Sequence, residues 1–238
     1  MIKIVNLNKK FNHNRKRKDI FSDFDFSVNK GESVGLFGPN GSGKTTLLNI
    51  ISGLDSDFDG QVKISAKRIA YVHQDPEATL APWFSCEKNI LLAREFHGLD
   101  ENIGKELLKK LSEEFRINFS LEQYPFSLSG GQRQIITLMR ALIIEPDVIL
   151  LDEPFSALDI EKRTDVLRIL VKHFGEGKTI IICSHRGEEV KSLINRAVIF
   201  GGRPTNIENN ILVKDFNSRE QFEDAVSKIT FKKYECEV

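Results

Sequence analysis

The sequence predicts an α/β fold built on a mostly parallel sheet, and three observations carry that prediction. Strand-like and helix-like stretches alternate along the chain. Two runs, Val148-Ile149-Leu150-Leu151 and Thr179-Ile180-Ile181-Ile182-Cys183, read as strands buried on both faces. A glycine-rich turn near residue 38 joins a short strand to a helix. Such alternation places helices on both faces of the sheet.

Residues 2–7 read as a first strand. Phe24, Phe26 and Val28 alternate with polar residues, the period of a half-buried strand. Residues 32–37 form a third strand ahead of the glycine turn, and Leu47, Leu48, Ile50 and Ile51 then fall at helical spacing. Residues 61–64 and 68–72 are strands, the second followed by an irregular run over 74–84. From 87 to 115 the period turns helical, with Leu107, Leu108 and Leu111 on one face. Residues 131–144 and 164–173 are further helices. The stretch near 87–145 carries no strand signal and is expected to be an inserted helical lobe.

The chain has 238 residues, 40% of them hydrophobic, enough for one large domain or one domain with an inserted lobe. Lys plus Arg and Asp plus Glu are 34 each, so the formal net charge is zero. A duplex-binding protein normally carries a basic excess, so nucleic acid is not an expected partner. Cys86, Cys183 and Cys236 form no CxxC pair and no metal-ligand spacing, which fits a reducing compartment. No targeting segment and no stretch of the ~20 apolar residues that cross a bilayer is visible. Any membrane role is expected to run through a partner.

Gly38-Pro39-Asn40-Gly41-Ser42-Gly43-Lys44-Thr45-Thr46 fits G-x-x-x-x-G-K-[ST] between a strand and a helix. Glycines let the backbone curl so that several N–H groups face one phosphate, and the helix N-terminus adds its dipole. Lys44 can reach the β- and γ-phosphates, and the Thr45 hydroxyl can bind Mg²⁺. A chance match in this length is on the order of 1%. These residues predict a site for a nucleoside triphosphate.

The run ending at Leu151 is followed by Asp152-Glu153-Pro154. Carboxylates at the carboxyl end of a parallel strand stand where open α/β sheets place their ligands. Asp152 is expected to hold Mg²⁺, and Glu153 to orient or deprotonate the attacking water. Leu128-Ser129-Gly130-Gly131-Gln132 begins a helix, with Ser129 as N-cap and two glycines that leave first-turn N–H groups accessible. One nucleotide does not need two such helix starts from one molecule. Ser129, Gly130 and Gly131 are therefore expected at the γ-phosphate of a nucleotide held by another subunit; a capped structural helix is the plain alternative.

With these motifs in place, the chain resembles the nucleotide-binding subunit of an ATP-binding cassette (ABC) transporter. Leu128 to Gln132 stands as that family's signature motif, Val148 to Glu153 as its Walker B strand, and Ser156-Ala157-Leu158-Asp159 as its D-loop. Gln74 resembles the Q-loop glutamine, His185 the switch histidine, and Phe11 the aromatic that stacks on adenine. The resemblance implies a P-loop NTPase (RecA-like) core, an N-terminal antiparallel β subdomain and a helical subdomain. It implies a single ATPase domain over 1–238, with the core and β subdomain in 1–86 and 146–207, the signature subdomain in 87–145, and an accessory segment in 208–238. It implies ATP and Mg²⁺ as cofactors. Thr45, Gln74 and Asp152 would hold the metal, and Lys44, Gln74, Glu153 and His185 would serve catalysis. Phe11, the phosphate loop and Ser129 to Gln132 would hold nucleotide in a head-to-tail homodimer. Membrane-spanning permease subunits at the cytoplasmic face of the membrane and an extracytoplasmic solute-binding protein are the partners implied.

Two positions depart from the family pattern: Ile135 stands where arginine is common, and Arg186 where aspartate is common. Ala81-Pro82-Trp83-Phe84 and the segment 195–207 resemble the nitrate, sulfonate, taurine and pyrimidine-precursor importer branch. An exporter or lipid-system ATPase is the alternative. A soluble clamp on nucleic acid or ribosomes is disfavoured by the length and the neutral charge. Trp83 is expected to pack the helical lobe and to be able to touch a membrane subunit. Asn14 to Lys18 reads as a solvated loop, Cys183 as a core residue, and His13, His73, His97 and His173 as without a role. Phe216, Phe222, Val226 and Ile229 could form a helix stripe that docks on the core.

Overall fold

A computed structural model describes residues 1–13, 16–174, 177–185, 187–202, 204–215 and 221–222. In chain order the elements are β1 (Ile2–His13), β2 (Lys16–Val28), β3 (Ser33–Phe37), α1 (Lys44–Ser52), β4 (Asp59–Ile64), β5 (Ile69–Val72), α2 (Cys86–Phe96), α3 (Glu101–Glu114), α4 (Gly130–Leu142), β6 (Val148–Asp152), α5 (Ile160–Phe174), β7 (Thr179–Cys183), α6 (Gly187–Val190), β8 (Arg196–Gly201) and β9 (Asn206–Leu212). Among the described residues, no helix is long and apolar enough to cross a membrane. Two compact units are present. One combines Met1–Ala66 with the described part of Glu176–Val238, and the other is Lys67–Gly175.

The first unit holds an antiparallel sheet in the order β2-β1-β4 and a parallel group in which β3 lies between β7 and β8. β9 closes that group antiparallel to β8. Every residue of β3 and β7 is buried, as continuous apolar strands require. In β2 the expected alternation holds: Phe24, Phe26 and Val28 are buried while Asp25 and Ser27 face solvent. Phe24 joins the aromatic core, its ring 4.7 Å from Phe21 and edge-on to Phe200 at 5.5 Å. Helix α1 starts after Gly43 and stops at Gly53, both left-handed, and buries Leu47, Leu48, Ile50 and Ile51.

β1 runs six residues beyond the expected end at Leu7, and Lys16 to Lys18 belong to β2, with Arg17 opposite Asn12 and Lys18 opposite Phe11. The expected loop is thus corrected in part. Backbone pairing carries a two-stranded ribbon past the point where apolar alternation stops, because the ladder hydrogen bonds need no particular side chains. Asn14 and Arg15 lie outside the described residues. So do Phe216, Val226 and Ile229; Phe222 is buried, its ring edge-on to Phe37 at 6.3 Å.

In the second unit β5 and β6 pair in parallel, Ile69 opposite Val148 and Val72 opposite Leu151. Asp147 sets their start, its Oδ2 accepting from the N–H groups of Lys67 at 2.8 Å and Arg68 at 3.0 Å. The helices begin at polar caps, Ser85 for α2, Asp100 for α3 and Ser129 for α4. The predicted continuous helical run over 87–115 is therefore two helices, broken at Gly98, whose φ is 61°. Helix α4 buries Ile135, Ile136, Leu138, Met139 and Leu142. Buried Arg94 of α2 ties its end, donating from Nη1 to the Ile143 carbonyl at 2.7 Å. α5 starts at Ile160, four residues before the expected position, capped by Asp159, whose Oδ1 accepts from the Lys162 N–H at 2.9 Å.

Candidate functional site

Phe11, residues 38–46 and His185 lie in the first unit; Gln74, Ser129 to Gln132, Asp152 and Glu153 lie in the second.

In the first unit the buried strand β3 delivers the chain into the phosphate loop. Gly38 has φ 144°, and a Cβ there would lie 2.7 Å from the Phe200 carbonyl oxygen, so only glycine fits. Gly43 has φ 86° and a Cβ there would meet the Phe21 ring at 2.8 Å. The curl brings two carbonyls inward: the buried Lys44 ammonium donates to Gly38 O at 2.7 Å and Pro39 O at 2.9 Å. The buried Ser42 hydroxyl makes no hydrogen bond to a described residue. Its backbone carbonyl accepts from the Thr205 hydroxyl at 2.9 Å. Thr45 is exposed and Thr46 half-buried. A curled loop with an ammonium, an orphaned buried hydroxyl and a helix start suits a phosphate chain.

Phe11 is 43% exposed, and the Lys9 ammonium sits 4.8 Å from its ring centroid. His185 is exposed and follows buried Ser184 at the end of β7. Arg186 lies outside the described residues.

In the second unit Gln74 is exposed, two residues past the end of β5. Before it, the His73 ring lies against Tyr71 at 3.8 Å. Burial pulls the His73 pKa below its ordinary value, Asp152 opposes that fall and Arg140 adds to it. The expectation that His73 has no role is thereby narrowed: its ring is a neutral, packed neighbour of the Asp152 charge.

Asp152 is the last residue of β6 and is 3% exposed. Glu153 follows with φ 48°, a left-handed conformation that costs a side-chain-bearing residue about 1–2 kcal/mol. The turn holds because the Glu153 carbonyl accepts from the Ser156 N–H at 3.2 Å and Pro154 and Phe155 are buried.

Ser129 caps α4 in a reciprocal box. Its Oγ accepts from the Gln132 N–H at 3.3 Å, and Gln132 Oε1 accepts from the Ser129 N–H at 2.8 Å. Gly130 and Gly131 lie against Ala157, so the signature motif and the D-loop of one chain touch. Ile135 is buried in the same helix. Arg133 pairs with Glu77 at 2.5 Å, and Arg140 donates to Thr79 O at 2.6 Å. Two cations of α4 thus hold the segment that follows Gln74.

Several residues of this unit carry more than the sequence reading assigned. Asn89, buried in α2, accepts from the Ala81 N–H at 2.8 Å and donates to Ala81, Phe84 and Ser85 carbonyls at 3.0 to 3.1 Å. Trp83 does not pack the lobe: it is 70% exposed, with Phe84 the ring nearest to it at 6.1 Å. The Asn89 bonds hold that loop from its backbone, which leaves the indole outside. His173, expected to be idle, lies 2.6 Å from Glu114 Oε2. Among the described residues no cluster of three His, Cys, Asp or Glu could hold a metal.

The sequence profile of the family described as ABC transporter matches residues 21–156. The chain is 33% identical over 240 residues to the aliphatic sulfonates import ATP-binding protein SsuB of Bacillus cereus, covering 96% of this chain and 94% of that protein. It is also 33% identical over 218 residues to the ABC transporter ATP-binding protein MJ0412 of Methanocaldococcus jannaschii, covering 89% and 82%. Among solved structures, the dimeric post-hydrolysis state of the cassette MJ0796 bound to ADP and Pi matches with a TM-score of 0.80 at 24% identity, covering 91% of this chain and 100% of that one. The fold is that of an ABC cassette. The chain belongs to the ABC transporter family, as an ATP-binding subunit with ATPase activity.

Proposed function

We propose that this subunit energises uptake of a small organic anion of the sulfonate type by ATP-driven, head-to-tail closure of two cassettes. The observation that carries the solute class is the 33% identity to the sulfonate import subunit over 96% of this chain. The partners in this reading are permease subunits, with the cassette peripheral on the cytoplasmic face of the membrane, and a solute-binding protein outside it. Exposed Trp83 and half-buried Phe84 lie in the Asn89-held loop and suit contact with a permease. Residues 87–145 act as the signature subdomain and 208–238 as an accessory segment.

Phe11 takes the adenine ring. The 38–46 loop takes the β- and γ-phosphates, with Lys44 moving from its carbonyls to phosphate oxygens and Ser42 gaining an acceptor. Gln74, Asp152 and Thr45 supply one amide, one buried carboxylate and one hydroxyl, a donor set that suits Mg²⁺ bound largely by phosphate and water. Bound Mg²⁺ would neutralise the phosphate oxygens. Glu153 orients and takes a proton from the attacking water, and His185 donates to the γ-phosphate. Ser129, Gly130, Gly131 and Gln132 close the nucleotide of the other copy. Closure needs intact triphosphate, so hydrolysis reverses it and moves the permease between two states.

Light scattering on Glu153→Gln tests the cycle: Mg-ATP is expected to convert monomer to dimer, and Ser129→Arg to abolish the shift. A Glu153→Gln protein that binds ATP and stays monomeric alone and with its permease overturns the closure. Growth on an alkanesulfonate as sole sulfur source, lost on deletion of this chain and restored by it, tests the solute; unchanged growth overturns the sulfonate class.

A further inference from the structure

Lys9 is a buried lysine that the mechanism above leaves unused. It is 2% exposed, in β1, two residues before Phe11. Its ammonium donates to Asp55 Oδ1 at 2.9 Å, to the Asp57 carbonyl at 2.5 Å and to Asp57 Oδ2 at 3.2 Å. The same ammonium sits 4.8 Å from the Phe11 ring centroid. A buried lysine with two carboxylates is an expensive arrangement to keep for packing alone, since apolar residues of like volume usually serve as well.

The two aspartates are not free to drift. They follow α1, and the Leu54 and Asp55 N–H groups both donate to Asn49 O, at 2.9 and 3.1 Å. Asp55 Oδ1 also accepts from the Asp57 N–H at 3.0 Å. α1 is the helix whose first residue is Lys44 of the phosphate loop. Lys9 therefore bridges the base of the phosphate-binding helix to the underside of the Phe11 ring.

We propose that Lys9, clamped by Asp55 and Asp57, is a positioning residue that holds the Phe11 ring at a fixed place relative to the phosphate loop, so that an adenine ring can stack on its open face. The inference rests on the assignment of Phe11 to adenine. An ammonium against one face of an aromatic ring restrains its tilt and leaves the other face to the base. Burial opposes the ammonium, but the two carboxylates outweigh it and raise its pKa above the ordinary lysine value. The cation is thus present at every physiological pH.

The test compares two ligands by calorimetry, ATP and inorganic tripolyphosphate, which has the phosphates without the ring. Lys9→Met is expected to weaken ATP about three- to tenfold and to leave tripolyphosphate unchanged. Lys9→Arg should restore ATP, and Lys9→Met added to Phe11→Ala should cause no further loss. Equal loss of both ligands makes Lys9 merely structural and overturns the proposal. So does a Lys9→Met protein with unchanged ATP affinity while Phe11→Ala is weakened. If Phe11→Ala itself leaves ATP binding unchanged, the adenine assignment fails, and the positioning role falls with it. Should Lys9→Met fail to fold, Asp55→Asn with Asp57→Asn reads the same ratio, and an unchanged ratio overturns the clamp.

Discussion

A Cβ placed on Gly131 would lie 3.1 Å from the carbonyl oxygen of Ala157. The signature helix and the D-loop are therefore packed backbone to backbone, at a distance that only the smallest residue allows without displacement. Gly131→Val is expected to push the turn 155–158 outward. ATP-dependent dimerisation should fall at least about tenfold, while the thermal midpoint drops by only about 2–4 °C for a domain of this size. Light scattering and a thermal melt on the same sample check both.

Glu153 adopts φ 48°. A glycine takes that conformation without strain, so Glu153→Gly should hold or raise stability by up to about 1 kcal/mol while ATP hydrolysis is lost. Glu153→Gln should lose hydrolysis with stability unchanged. Urea unfolding with a phosphate-release assay separates the two effects; a marked destabilisation by Glu153→Gly would show that the left-handed turn carries no strain.

Asn89 closes four hydrogen bonds around residues 81–85. Asn89→Leu leaves those backbone groups unpaired in a buried place and should cost about 2–4 kcal/mol. If the Trp83 loop is the permease contact, the same change should weaken permease binding of the folded fraction. Urea unfolding and pull-down of the purified permease measure the two.

Glu114 of α3 is bonded to Lys172 at 2.7 Å and His173 at 2.6 Å in α5. Burial alone would raise its pKa; the two cationic partners outweigh burial and hold it below the ordinary glutamate value of 4.5. A carboxylate depressed in the folded state stabilises above the unfolded pKa, and that contribution is lost as pH falls through the folded one. Wild-type protein should therefore lose more stability than Glu114→Gln between about pH 6 and about pH 3.5. Parallel slopes in urea melts over that range would remove the pair from the stability balance.

The phosphate loop, the acidic strand end and the signature glycines were legible because each is a contiguous motif. Backbone curl, strand polarity and helix start are local properties, and local spacing encodes them. The buried strands were legible for a similar reason: β6 and β7 are continuous apolar runs. What the sequence concealed is long-range. Lys9 reads as one basic residue among several until Asp55 and Asp57 are folded against it. Asn89 looks like an ordinary helix polar residue, yet it shapes a loop eight residues away. Thr205 lies 163 residues from the Ser42 carbonyl that it holds. The length of β1 was missed because hydrogen-bonded ribbons outlast hydrophobic alternation.

The wall behind the phosphate loop is made late in the chain. Phe200 backs Gly38 and Thr205 holds Ser42, although the loop itself is complete by residue 46. A nascent chain leaving the ribosome thus displays the full loop sequence long before it owns a rigid phosphate cradle. Its ability to grip nucleotide switches on near the end of synthesis, when the rest of the cassette has already emerged.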